Sequence, residues 1–216
     1  MNKFIFDMDG TLYNFKDAIP GKFYDTGFYS DLKKNIYSYL GEKMGFNRER
    51  IDKELAVAVR DFNGEYSLYF EKVHGIDRYE YLSKVFSLDP EKHIVKTKGL
   101  PEFYAKIKDR SLILTTAPKS WAKKVLTYLE IVDYVGDNLI TGEPDIRKPN
   151  PLVFINALKM LKSEPENTYS IGDQEHSDII PAKNIGIKTI IVGKSKSADY
   201  EVKDTKELMK LVEELL

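Results

Sequence analysis

The chain has 216 residues, 42% of them hydrophobic, which suffices for one domain of ordinary size or for a core with a smaller insert. Its formal net charge of −1 argues against nucleic acid or an anionic membrane surface as the main partner. The absence of cysteine excludes disulfides and thiolate chemistry. No apolar run approaches the roughly 20 residues of a membrane-spanning helix, and no signal-peptide pattern is present, so we expect a soluble cytoplasmic protein.

The first predicted element is a short buried strand, residues 4–6, which runs into Asp7 and is followed by Asp9 and a Gly-Thr turn. In open α/β sheets, ligands bind at the carboxyl edge of the strands. Two carboxylates this close repel each other unless a cation balances them or one keeps its proton, and Mg²⁺ would suit both carboxylates and phosphate. The alternative is a strand end with a solvated turn, because Asp and Gly are common in turns.

Residues from about 14 to 88 are predicted to form a helical insert. Apolar residues recur at helical spacing in four stretches, with no strand-like alternation between them: 32–44, 51–62, 66–73 and 81–86. The segment holds 15 of the 26 aromatic residues of the chain. These rings could line a pocket for a base or sugar, or they could simply fill the core of a small helical bundle.

From Gly99 onward, helices and strands alternate. The sequence predicts a helix at 102–108, one at 120–130 with Ser120 as its N-cap, and one that Asn150 caps. The other predicted elements are strands at 111–115, 138–140, 168–172 and 187–192, and helices at 179–184 and from Asp204. Repeated β-α units predict an α/β fold, a parallel sheet with helices on both faces.

Polar residues stand where these later strands end. Thr115 and Thr116 stand at the end of one strand, and Asp173, with Asp178 five residues on, follows another. Lys148 precedes a proline just before a helix. Each could be ordinary on its own, as a strand threonine, a loop lysine or a turn aspartate. Their convergence with the first acidic pair on one sheet edge favours a binding or catalytic site.

The stretch Asp7-Met8-Asp9-Gly10-Thr11-Leu12 resembles the D-x-D-G-T-L signature of the haloacid dehalogenase superfamily. Three later segments resemble further motifs of that family in the same order: an apolar strand ending in Thr115, K-P-x-P at Lys148, and G-D-x-x-x-x-D at 172–178. Thr116 departs from the asparagine that many members carry. The resemblance implies a Rossmann-like core, 1–13 with 89–216, and an inserted all-helical cap domain at 14–88.

The resemblance also implies two-step phosphoryl transfer. Asp7 would be the nucleophile that forms an aspartyl phosphate, and Asp9 the general acid and then the base. Thr115, Thr116 and Lys148 would bind the phosphate, with Lys148 also counted as catalytic.

The implied cofactor is Mg²⁺. Its predicted ligands are Asp7, the backbone carbonyl of Asp9, and Asp173. Asp178 would act through water or by orienting Lys148.

The implied partner is a small phosphorylated metabolite, with neither nucleic acid nor membrane involved. The predicted substrate is a nucleoside monophosphate or phosphoglycolate, with a sugar phosphate as a further alternative, and residues 75–82 show some similarity to pyrimidine 5′-nucleotidases. The presence of Asp9 favours a phosphotransfer enzyme over a dehalogenase, because dehalogenases of the family lack this second acid. A phosphomutase of sugar phosphates and a catalytically silent phosphate-binding regulatory module remain alternatives. The sequence leaves the oligomeric state open.

Overall fold

The computed structural model describes residues 1–19 and 23–216. The described residues form two compact units, one made of Met1–Lys16 with Pro90–Leu216 and the other of Asp17–Asp89. The domain boundaries given by the sequence, 1–13 with 89–216 and 14–88, remain a prediction.

The first unit contains all the strands of the described chain. In order they are β1 (Lys3–Phe6), β2 (Asn14–Phe15), β3 (Ile94–Val95), β4 (Ser111–Leu114), β5 (Leu139–Ile140), β6 (Thr168–Gly172), β7 (Lys188–Val192) and β8 (Tyr200–Val202). Six of them form one parallel sheet in the order β5-β4-β1-β6-β7-β8, and β2 pairs with β3 antiparallel. Strand β1 therefore lies between β4 and β6, so the residues that follow these three strands meet at one sheet edge.

The second unit is helical in its described part. It comprises a 3₁₀ turn at Phe23–Asp25 and helices α1 (Gly27–Met44), α2 (Arg48–Phe62), α3 (Tyr66–His74) and α4 (Arg78–Val85). Many of its aromatic rings pack on one another. The rings of Phe70 and Tyr81 stack with centroids 5.5 Å apart, and Tyr39 meets Tyr81 edge-on at 5.8 Å. The aromatic content of this segment thus serves in large part to fill its core.

The remaining helices belong to the first unit: α5 (Pro90–His93), α6 (Leu100–Ile107), α7 (Lys119–Tyr128), α8 (Val132–Val135), α9 (Pro151–Leu161), α10 (Ile180–Lys183) and α11 (Thr205–Glu214). They cover both faces of the sheet. On one face, Val153 and Phe154 of α9 belong to the same buried cluster as Ile5. On the other, the ring of Phe6 packs against Phe103 of α6 at 6.3 Å. The predicted α/β core with a helical insert is confirmed.

Several element boundaries differ from those predicted. Helix α7 begins at Lys119 with Pro118 as its N-cap, so Ser120 lies inside the first turn and the N-cap prediction was wrong. The helix predicted at 179–184 starts earlier, with a π-helical turn at Glu175–Ile179 that runs into α10. Asn150 and Asp204 do cap their helices, accepting hydrogen bonds from Leu152 N and Glu207 N. Within the described ranges, no helix combines the length and apolar character needed to span a bilayer.

Candidate active site

The turn after β1 places its two aspartates in different surroundings. Asp7 N donates to Ile171 O at 2.7 Å, which extends the pairing with β6 by one residue. The chain then turns sharply, and Leu12 N donates to Met8 O at 3.0 Å. Gly10 adopts a φ of +82°, and a Cβ at this position would lie 2.5 Å from Asp173 Oδ2. The turn thus needs glycine both for its backbone and for the close approach of Asp173.

Lys148 lies between two carboxylates. Its Nζ is 2.5 Å from Asp7 Oδ1 and 2.6 Å from Asp178 Oδ1, and all three residues are buried. Burial alone would lower the pKa of Lys148, but the charges of Asp178 and Asp7 outweigh it and raise that pKa. The ammonium group therefore stays protonated and balances one of the negative charges around it.

Asp7, Asp173 and Asp178 form a group of three carboxylates. One oxygen from each lies within 4.8 Å of the others. Burial raises the pKa of Asp7 well above its ordinary value; Lys148 opposes that rise, and Asp178 and Asp173 add to it. Burial and then the charge of Asp178 raise the pKa of Asp173 to about 7. Three acids beside one lysine make a cluster in which negative charge is poorly balanced.

The donor set of this cluster fits a hard divalent cation. All three ligand atoms are carboxylate oxygens, which Mg²⁺ prefers. In the described part of the chain, Asp173 Oδ1 is buried without a hydrogen-bond partner. A buried carboxylate oxygen left without a partner costs free energy, which a bound cation would remove.

The Asp9 side chain lies outside the group of three carboxylates and has its own partners. Its Oδ1 accepts hydrogen bonds from Trp121 Nε1 at 3.1 Å and from the Tyr13 hydroxyl. Its Oδ2 lies 3.3 Å from Thr115 Oγ1. Burial raises the pKa of Asp9, while the hydrogen bonds from Tyr13 and Trp121 oppose the rise. Asp9, like Asp7 and Asp173, therefore holds a proton more readily than an exposed aspartate would.

The two predicted phosphate-binding threonines differ in their environments. Thr115 is buried just after β4, and its Oγ1 accepts a hydrogen bond from Ala117 N at 3.0 Å. Thr116 has an exposed side chain. Its close contact is through the backbone, since a Cβ on Gly142 would lie 1.9 Å from Thr116 O. The structure thus brings the Thr115 hydroxyl close to Asp9, whereas Thr116 packs tightly against Gly142 through its backbone carbonyl.

Three residues at the site were not predicted. Thr11 Oγ1 lies 3.3 Å from Asp7 Oδ2, and Tyr13 and Trp121 contact Asp9. Thr11 and Tyr13 are adjacent to the acidic motif, so proximity in sequence was a usable signal. Trp121 is 112 positions from Asp9, on α7, and only the fold brings the two together.

A family model described as haloacid dehalogenase-like hydrolase matches residues 1–186. The chain therefore belongs to the haloacid dehalogenase-like hydrolase family, and the predictions of this family and of a hydrolase are confirmed.

Several relatives align with this chain over most of their length, among them the following two. The chain is 29% identical to a glyceraldehyde 3-phosphate phosphatase of Methanocaldococcus jannaschii, covering 98% of this chain and 96% of the relative. It is 27% identical to the pyrophosphatase PpaX of Bacillus mycoides, covering 89% of this chain and 83% of the relative. A crystal structure of a HAD phosphatase from Thermococcus onnurineus superposes over 98% of both chains with a TM-score of 0.65 and 22% identity. At that identity, the likeness to a solved structure speaks for the fold alone.

Proposed function

We propose that the protein is a Mg²⁺-dependent phosphatase that hydrolyses a small phosphomonoester through an aspartyl phosphate on Asp7. One observation carries the proposal: two aspartates two positions apart, one buried and one half-buried, have different partners. Asp7 is bound by a protonated lysine inside an acidic cluster, whereas Asp9 is held apart by neutral donors. When an enzyme uses one acid as nucleophile and another as proton donor, the two roles usually follow from the different environments of the two acids. The phosphatase names of both relatives support the same reaction class.

In the first step, Asp7 attacks phosphorus. A carboxylate oxygen of Asp7 forms a bond to phosphorus as the bond to the leaving oxygen breaks, and the electron pair stays on that oxygen. Asp9 gives its proton to the leaving oxygen. Lys148 already holds Asp7 Oδ1 at 2.5 Å, whereas Oδ2 has a longer contact, 3.3 Å to Thr11, so Oδ2 is the oxygen we assign to the attack.

In the second step, water attacks the phosphorus of the aspartyl phosphate. Asp9, now a carboxylate, takes a proton from the water as the new oxygen–phosphorus bond forms. The bond between phosphorus and the Asp7 oxygen breaks, and inorganic phosphate leaves. Thr115, Thr116 and Lys148 would bind the phosphate oxygens, Lys148 by charge and the threonines by hydroxyl or backbone groups.

Asp7, Asp173 and the backbone carbonyl of Asp9 would hold the Mg²⁺, and Asp178 would orient Lys148, to which it lies 2.6 Å away. When bound, the ion supplies positive charge that keeps the buried carboxylates ionised and balances the phosphate dianion. We further propose that residues 14–88 act as a cap that closes over the core of 1–13 and 89–216 and selects the substrate.

The test is phosphate release from a panel of phosphate compounds, each with Mg²⁺ and with chelator. The panel includes nucleoside monophosphates, phosphoglycolate, sugar phosphates, glyceraldehyde 3-phosphate and pyrophosphate. We expect release that needs Mg²⁺. Asp7→Asn should lower it by ~10³-fold or more without unfolding the protein, because the covalent step needs the carboxylate.

The matched control is Asp133→Asn, an exposed aspartate in the same unit, which should retain wild-type release. Full activity of Asp7→Asn would contradict the proposal. Folded wild-type protein that moves phosphate within a sugar, without releasing it, would instead be a phosphomutase. Protein that binds phosphate compounds without turnover would fit the regulatory module.

A further inference from the structure

Two hydrogen-bond donors converge on one oxygen of Asp9. The Trp121 indole Nε1 and the Tyr13 hydroxyl both reach Oδ1, and both side chains are completely buried. Tyr13 comes from the turn after β1 and Trp121 from α7, so the arrangement joins two separate parts of the first unit. The Oδ2 atom has a contact of a different kind, 3.3 Å to the hydroxyl of Thr115.

The chemistry of these donors distinguishes the two oxygens. An indole N–H can only donate, so the oxygen that faces it must accept whether Asp9 is ionised or protonated. A proton on Oδ1 would compete with the indole hydrogen at the same oxygen and would leave the buried N–H with a hydroxyl oxygen, a poorer acceptor than a carbonyl oxygen. The stable position for the proton is therefore Oδ2.

We propose that Tyr13 and Trp121 are positioning residues that fix the orientation of the Asp9 carboxyl group, so that Oδ2 carries the proton given to the leaving oxygen. The inference rests on the proposed function, in which Asp9 is the general acid. Oδ2 is also the oxygen beside Thr115, which the same proposal places at the phosphate. A carboxyl group free to rotate would present either oxygen there, and only one orientation would be productive.

The test uses the dependence of the rate on the leaving group. A p-nitrophenolate ion departs readily without a proton, whereas the alkoxide of glycerol phosphate needs one. The ratio of kcat/KM for glycerol phosphate to kcat/KM for p-nitrophenyl phosphate therefore reports how well Asp9 delivers its proton. Using kcat/KM restricts the comparison to the steps up to formation of the aspartyl phosphate.

Trp121→Phe and Tyr13→Phe each remove one donor and keep the ring. We expect each variant to lower the ratio by ~10-fold or more, while kcat/KM for p-nitrophenyl phosphate stays within about 3-fold of wild type. Asp9→Asn should give the largest fall, because general-acid catalysis typically contributes 10²–10⁴-fold. Two independent variants keep the test usable if one of them fails to fold.

The matched control is Tyr104→Phe. Tyr104 is also buried in the first unit, but its ring packs on Phe6 with centroids 6.0 Å apart, and within the described residues its hydroxyl has no hydrogen-bond partner. Its ratio should equal that of wild type. An equal fall on both substrates in Trp121→Phe and Tyr13→Phe, or no fall, would show that the two residues are merely structural and would overturn the inference.

The outcome also separates this inference from the proposed function. Wild-type protein that releases no phosphate from these two substrates or from any compound of the panel above would refute the proposed function. An unchanged ratio in Asp9→Asn would refute the role of Asp9 as acid and the inference with it. Changed ratios in Asp9→Asn, but not in the two donor variants, would refute the inference alone.

Discussion

Gly10 is a residue at which the candidate site leaves no room for a side chain. Its φ is +82°, and an added Cβ would lie 2.5 Å from Asp173 Oδ2, a distance that real Cβ atoms do not show. Gly10→Ala should therefore displace the Asp173 carboxylate as well as strain the backbone. We expect Mg²⁺-dependent phosphate release to fall by ~10²-fold and unfolding to become easier by about 1–3 kcal/mol.

Gly99 provides the comparison for Gly10. Its φ of +83° is nearly identical, but nothing lies within 4 Å of the position its Cβ would take. Gly99→Ala should cost about 1 kcal/mol of stability and leave the rate of release unchanged. Activity assays and urea unfolding of both variants measure the change in the rate of release and the change in stability. Similar losses of activity in the two would show that crowding at Asp173 is unimportant.

At the residue scale, the sequence could identify side chains that are unusual at their position in an element. An acid that ends an apolar strand stands out in a sequence, so Asp7 and Asp173 could be recognised, and their motifs pointed to Lys148. Trp121 carried no such signal, because a tryptophan near the start of a helix is normally a core residue. Its indole is indeed in the core, and only the packing of α7 shows that its N–H faces Asp9.

At the scale of elements, a buried carboxylate links two helices of the second unit. Glu54 of α2 accepts hydrogen bonds from the Tyr69 hydroxyl of α3, lies 2.9 Å from His74 Nε2, and pairs with Arg50 at 2.5 Å. These hydrogen bonds, with the nearby charges, outweigh the effect of burial and lower the pKa of Glu54, so the group is ionised at neutral pH. Glu54→Ala should lower the free energy of unfolding by about 2–4 kcal/mol, because it leaves buried polar partners unpaired.

Glu49 on the same helix tests whether burial is the cause. It pairs with Lys53 at 2.7 Å, but both side chains are largely exposed. Glu49→Ala should cost about 1 kcal/mol or less, since an exposed ion pair contributes little and a first-turn acid adds only modestly. Far-UV circular dichroism during urea unfolding measures both variants. Equal costs would mean that the Glu54 cluster adds nothing beyond ordinary surface charge.

The predictability of elements follows from their length. Helices α1 to α4 each carry an apolar stripe over at least two turns, so periodicity reveals them. Strands β2, β3 and β8 have two or three residues, too few to show alternation, and they form only because a partner strand is present. The start of α7 was misplaced by one residue because Ser120 has the chemistry of an N-cap, whereas the chain already turns into the helix at Pro118.

For the whole molecule, the acidic cluster predicts how stability depends on pH. The pKa of Asp173 is about 7 in the folded protein against an ordinary value of 3.8, so the folded state binds this proton more tightly than the unfolded state. Without divalent metal, the stabilisation from Asp173 is therefore complete below about pH 4 and is lost as pH rises through about 7. The raised pKa of Asp7 acts in the same direction. The loss attributable to Asp173 is at most about 4 kcal/mol, because each pH unit between the two values contributes about 1.4 kcal/mol.

Mg²⁺ should remove this loss, because it binds the ionised carboxylates and only the folded protein assembles them. Trp121 is the single tryptophan of the chain and is buried in the first unit, so its fluorescence follows the unfolding of the unit that holds the cluster. We expect urea unfolding in chelator to show wild-type protein losing stability between pH 5 and pH 7 relative to Asp173→Asn, whose amide does not titrate. Saturating Mg²⁺ should stabilise wild type at pH 7 and leave Asp173→Asn nearly unchanged. Wild-type stability that stays level over this pH range relative to the variant would mean that Asp173 is already ionised in the metal-free fold. An equal gain from Mg²⁺ in both proteins would place the ion elsewhere.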